Sequence, residues 1–139
     1  MRKYIIAAMV AAIPMTACGG SPAPAATHKA ARVTVIGEDC RVALSMGRSL
    51  DAPLAAHDAH KVATAGTADS TDLTALADAV SASHPTIGQA IGQEAGALLA
   101  VAQAATGVTY GAPWSDVAQY VQPLHDAVTG VSTACTGVQ

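Results

Sequence analysis

The stretch PWSDVAQYVQPLHDAVTGVSTAC, Pro113 to Cys135, decides the fold. Val117, Val121, Leu124, Val128, Val131 and Cys135 recur in it at alternating steps of four and three. That spacing puts all six on one face of a helix, whereas a strand would scatter them over both of its faces. Pro113 suits a first helical turn, where its missing N–H is not needed. Pro123 lies inside the run and is expected to bend the helix. A helix with one sustained apolar stripe must bury it against other elements.

Working back from there, Ile87, Ile91, Ala95, Leu98, Ala102 and Ala105 predict a helix from about Thr86 to Ala105. Leu73, Leu76, Ala77 and Val80 give a shorter stripe, ended by His84-Pro85. Gly66, Thr67, Asp69 and Ser70 read as the loop before it, with capping oxygens. From Glu38 onward, Cys40, Leu44, Gly47, Leu50 and Leu54 mark a first helix. Pro53 either kinks that helix or begins a second one, with Asp51 as its N-cap. Residues 38–139 are therefore expected to form an all-α, four-helix up-down bundle, or a five-helix variant broken at Pro53. The acidic residues read as solvated helix faces. Gly88, Gly92 and Gly96 recur every four residues, so another element can approach the backbone closely there. Two readings stand for that stripe: a tight internal helix contact, or a flat face for a homodimer.

The N-terminus carries a different signal. Met1-Arg2-Lys3 is basic, Tyr4 to Ala17 is largely apolar, and Cys18 is followed by Gly19-Gly20-Ser21-Pro22-Ala23-Pro24. A basic start, an apolar run and small residues at a cut point describe an export signal. The apolar run is 14 residues, short of the roughly 18 to 20 that cross a bilayer. With Met15-Thr16-Ala17-Cys18 at the cut, the segment resembles the signal peptide of a bacterial lipoprotein. That resemblance covers about the first twenty residues. It implies a signal peptide over 1–17, lipidation of Cys18 on sulfur, and a flexible tether over 18–37. It also implies export and anchorage to the outer face of a membrane.

Removal of residues 1–17 takes away Arg2 and Lys3. Lys plus Arg falls from 7 to 5 against 10 Asp plus Glu, a net charge of −5. No Lys or Arg follows Lys61. Nucleic acid is a poor partner for such a chain, since binding it needs a basic footprint. Lys29 and Arg32 lie near the anchor, either as incidental linker charges or favoured by anionic headgroups. The chain has no Phe, and Tyr110, Trp114 and Tyr120 are the aromatic residues after Cys18. Its core must come from Ala, Leu, Val and Ile, each burying modest area.

With Cys18 lipidated, Cys40 and Cys135 remain, and an exported protein sits where disulfides persist. Their bond would close a loop of about 95 residues and contribute about 4 to 5 kcal/mol in the chain-entropy picture. An up-down bundle places the start of its first helix beside the end of its last, where these two cysteines fall. The same topology gathers His57, Asp58, His60, Tyr110, Trp114 and Asp116 at the opposite, distal tip. His57 and His60 share a helix face and read either as solvated side chains or as the start of a metal or haem site lacking a third ligand. Tyr110 and Trp114 read as a core end cap or as an anchor for a ligand or protein partner.

No Gly-x-Ser-x-Gly, Walker loop or HExxH occurs, and no metal-ligand spacing is present. The expectation is a non-catalytic binding or interaction module, without cofactor, held at the cell envelope by its lipid and meeting an envelope protein. Small lipoproteins of similar plan include phage-borne factors that block superinfection. The alternative is a small-ligand carrier, for haem or a metal, similar in plan to exported helical proteins with a cysteine near each end.

Overall fold

A computed structural model describes residues 36–138. The expected signal peptide over 1–17, Cys18 and the expected tether up to residue 35 lie outside the described residues. Five helices follow in chain order: α1 Ile36–Gly47, α2 Asp51–Ala55, α3 Ala59–Ser81, α4 Pro85–Thr109 and α5 Ser115–Ala134. A turn over residues 48–50 separates α1 from the short α2, so the first bundle member is broken there. Pro53 is the third residue of α2, inside a first turn where its missing N–H costs nothing. The residue capping α2 is Leu50, and Asp51 is already helical. Ile36 and Gly37 belong to α1, so the helical domain starts two residues before Glu38.

The largest departure from expectation concerns Gly66 to Ser70, which lie inside α3. The helix starts early because Asp58 caps it. Asp58 Oδ1 accepts from the Lys61 backbone N–H at 3.1 Å, and Lys61 Nζ lies 3.2 Å from Oδ2. The Lys61 backbone and side-chain hydrogen bonds hold this carboxyl below its ordinary range. Of the hydroxyls that read as caps, Thr67 bonds back within the helix, whereas Ser70 donates to the Ala95 carbonyl of α4. Thr64, Thr67, Thr71 and Thr74 each donate to the carbonyl four residues back. Gly66 survives mid-helix because α4 lies against it, where a Cβ would stand 3.0 Å from Ala102 Cβ.

α3 and α4 share the most extensive contact in the bundle, followed by α4 with α5. Ile87, Ile91, Ala95, Leu98, Ala102 and Ala105 are all buried, as are Leu73, Leu76, Ala77 and Val80. Val117, Leu124, Val128, Val131 and Cys135 are buried too, while Val121 is half-buried. α5 runs unbroken through Pro123. The bundle is closed by the Cys40–Cys135 disulfide, with a Cα–Cα separation of 6.1 Å. It ties the first turns of α1 to the end of α5. No helix of the described residues is long and apolar enough to cross a membrane.

The glycine stripe of α4 divides. Gly88 is buried, and a Cβ there would lie 2.8 Å from Ser81 Cα and 2.9 Å from the Ala77 carbonyl oxygen. Gly92 meets α3 at ordinary contact distance, and Gly96 has nothing within 4 Å. The three therefore do not form one open face. Gly47 is a tight position of a different kind, since a Cβ there would overlap the Glu94 carboxyl and stand 2.5 Å from Val128 Cγ2. Gly47→Ala should destabilise the domain by about 1 to 3 kcal/mol through overpacking. Gly96→Ala, on an open helix surface, should stabilise it by about 0.5 to 1 kcal/mol. Urea unfolding of the two variants beside the parent checks both signs.

Candidate functional site

Two helix ends build the site. At the first, α2 closes with the Ala56 cap and His57 in the left-handed region, φ +52. His57 N–H donates to the Leu54 carbonyl at 3.1 Å and Asp58 N–H to the Pro53 carbonyl at 3.0 Å. This is the paired reverse bonding of a Schellman end, with histidine where glycine is usual. At the second, α4 closes with Tyr110 and then Gly111 at φ +100. Gly111 N–H donates to Val108 at 3.0 Å and Ala112 N–H to Gly107 at 3.1 Å, the same motif. Gly107 is thus the last-turn acceptor of α4, which runs four residues past the expected end at Ala105 and leaves residues 110–114 as the connection. The chain reverses within those five residues and sets Trp114 at the head of α5.

These ends bring the rings of two of the six expected tip residues together. The His57 and Trp114 rings stack, with centroids 4.6 Å apart and planes inclined by 26°. Tyr110 is 88% exposed and His60 is exposed on the first turn of α3. Beside the stack runs a groove of about 560 Å³ between α2 and α5. Asp51, Leu54 and Ala55 form one wall, and Trp114, Ala118, Val121 and His125 the other. The four α5 residues step by four, three and four, so one helix face supplies that whole wall. His125 Nε2 lies 3.7 Å from Asp51 Oδ1 across the groove, an ion pair while the imidazole carries its proton. The groove volume falls in the range of small-molecule sites. His57, His60 and Tyr110 are not among its lining residues. The described residues contain no cluster of three His, Cys, Asp or Glu side chains able to hold a metal ion.

Two acidic residues expected on solvated faces are buried, Asp39 in α1 and, more deeply, Glu94. It is fully buried in α4, and neither carboxyl oxygen has a hydrogen-bond partner. Gly47 of α1 and Val128 of α5 lie against it. Burial drives its carboxyl from 4.5 up to about 7, opposed in part by the Gly47 backbone. A signal for this was available: Glu94 lies three residues after Ile91 and four before Leu98, inside the apolar stripe. Asp51 and His125 were also missed as a pair, since nothing in the sequence links positions on two helices.

Comparison with protein-family models, with curated proteins and with solved structures finds no match to this chain. The chemistry of the site is accordingly read from its geometry.

Two outcomes are expected. A carboxyl whose folded pKa is raised binds its proton more tightly in the folded state, so stability falls as pH rises from about 4.5 to about 7 and then levels. Glu94→Gln removes that dependence, and its advantage over the parent should grow by about 2 to 3 kcal/mol between pH 4.5 and 7.5. Denaturant unfolding at the two pH values measures the difference. For the stack, His57→Ala keeps the left-handed backbone cost and loses the ring contact, lowering stability by about 0.5 to 1.5 kcal/mol. His57→Gly loses the contact but relieves the backbone, so it should lie within about 0.5 kcal/mol of the parent. Thermal unfolding, followed through the only tryptophan of the chain, ranks the three.

Proposed function

We infer that this chain is an exported lipoprotein, anchored through Cys18 to the outer face of a bacterial membrane. Its bundle is a non-catalytic binding module that meets an envelope partner at the Trp114 groove. The observation that carries this reading is the placement of Trp114. The only indole of the chain is half-buried, held by His57, and forms part of an open groove with mostly apolar walls. Large aromatic side chains in such positions dominate many binding interfaces. Trp114 also begins α5, whereas Cys135 follows its end, about 30 Å along the helix axis at 20 residues. The described chain enters at the disulfide end, so the groove lies at the end of the bundle remote from the tether's attachment point. A small-ligand carrier is the second reading, favoured by the groove volume and by His125 on its wall.

Two measurements test the proposal. The intact mass of protein taken from membranes should match residues 18–139 plus a diacylglyceryl group and an acyl chain, and should rise by two hydrogens on reduction. An unmodified mass with another start would overturn the anchor. For the groove, a photo-crosslinking amino acid at Ala118 should give a discrete covalent adduct on intact cells. The same probe at Asp78, on the exposed surface of α3, should not, and Trp114→Ala should remove the Ala118 adduct. No adduct at Ala118, or equal adducts at both sites, would sink the groove as an interface.

A further inference from the structure

Residues 36–58, comprising α1, the turn and α2, lie across the other helices as a strap fixed at both ends. One end is held by the Cys40–Cys135 disulfide, the other by the turn at His57 into α3. Between those ends the strap touches the bundle far less extensively than α3 touches α4. Ala43, Leu50 and Leu54 are its buried apolar anchors along that span. At its centre Gly47 covers the buried, unpartnered carboxyl of Glu94. We propose that the centre of this strap is a pH-operated flap, closed over Glu94 in acid and lifting as pH rises, which widens the Trp114 groove.

The direction follows from the groups that face one another. Glu94 meets Gly47 on α1 and Val128 on α5, and no charged side chain bears on it. Neutral, it is tolerated there. Ionised, it has only the Gly47 backbone in its favour, which falls short of the hydration lost by burial, and lifting Gly47 lets water reach it. The Asp51 carboxylate of α2 also lies 3.7 Å from His125 Nε2 of α5, at the far end of the strap from Glu94. Across the α1–α3 side, Glu38 and Asp39 share a groove with Asp72, and one Asp39 oxygen is buried without a partner. Two further contacts hold the strap. The Ser49 hydroxyl donates to the Asp69 carboxylate of α3, and His57 lies on Trp114.

The flap uses the wall residues Asp51, Leu54 and Ala55, so its movement changes the width of the groove itself. It needs no occupant there. Its failure and the failure of the binding reading are therefore separate outcomes.

Hydrogen exchange of the full chain, read by mass spectrometry and corrected for intrinsic rates, tests the flap. Between pH 5.5 and 8.5, amides of residues 43–56 should lose protection on the order of 30-fold, the change linked to one carboxyl moving from its buried to its ordinary pKa. Protection in α3 and α4 should change much less. In Glu94→Gln the loss at residues 43–56 should shrink to within a few-fold. Glu94→Met, apolar and of similar length, serves the same comparison if the amide packs poorly. An unchanged wild-type strap overturns the proposal. So does a loss shared evenly by all helices, which is global unfolding, and so does a loss that persists in both variants.

Discussion

The structure depends on how closely α3 and α4 approach. A chain with no Phe and many alanines cannot fill a wide space between helices, so the helices must come together until small side chains touch. Gly66 and Gly88 permit this at opposite ends of the contact. A Cβ at Gly66 would sit 3.3 Å from the Leu98 carbonyl oxygen, and one at Gly88 would meet the backbone of Ala77 and Ser81. The buried Ser70 hydroxyl, donating to the Ala95 carbonyl at 2.8 Å, ties the same two helices midway. α5 then completes the core with Val117, Leu124, Val128 and Val131.

Against that tight pair, α1 and α2 are bound by different means. The disulfide fixes one end covalently, and the short apolar set Ala43, Leu50 and Leu54 fixes the rest. Glu94 stands beneath them where an apolar residue would bind the strap more firmly. A buried carboxyl without a partner costs stability whenever it is ionised. Its position under the most lightly packed helices, and not between α3 and α4, is what allows a local response.

The groove is a product of the same break in the first bundle member. α2 is a single turn whose end is set by His57 in a left-handed conformation, and this turn directs the imidazole onto Trp114. On the other side, Gly111 ends α4 in the way glycine commonly ends a helix, and α5 begins at once. Two Schellman ends facing each other thus form the tip, and the groove walls descend from them along α2 and α5.

Much of this was legible in order along the chain. Periodicity gave the helical class and the buried faces of α4, α5 and the second half of α3, while the cysteine count and the bundle topology paired Cys40 with Cys135, because each depends on local spacing or on topology that short loops enforce. The bounds of α3 were not legible. Threonine and serine oxygens serve as caps or bond back inside a helix with equal chemistry, and the Asp58 cap decided between them. Gly88, Gly92 and Gly96 look alike in sequence, yet only Gly88 lies in the tight contact, because helix crossing brings the partner backbone to one level of the stripe. Tertiary structure alone decided the His57–Trp114 stack, the Asp51–His125 pair and the burial of Glu94 under Gly47. Each joins residues on different helices, and no spacing along one chain reports the distance between two.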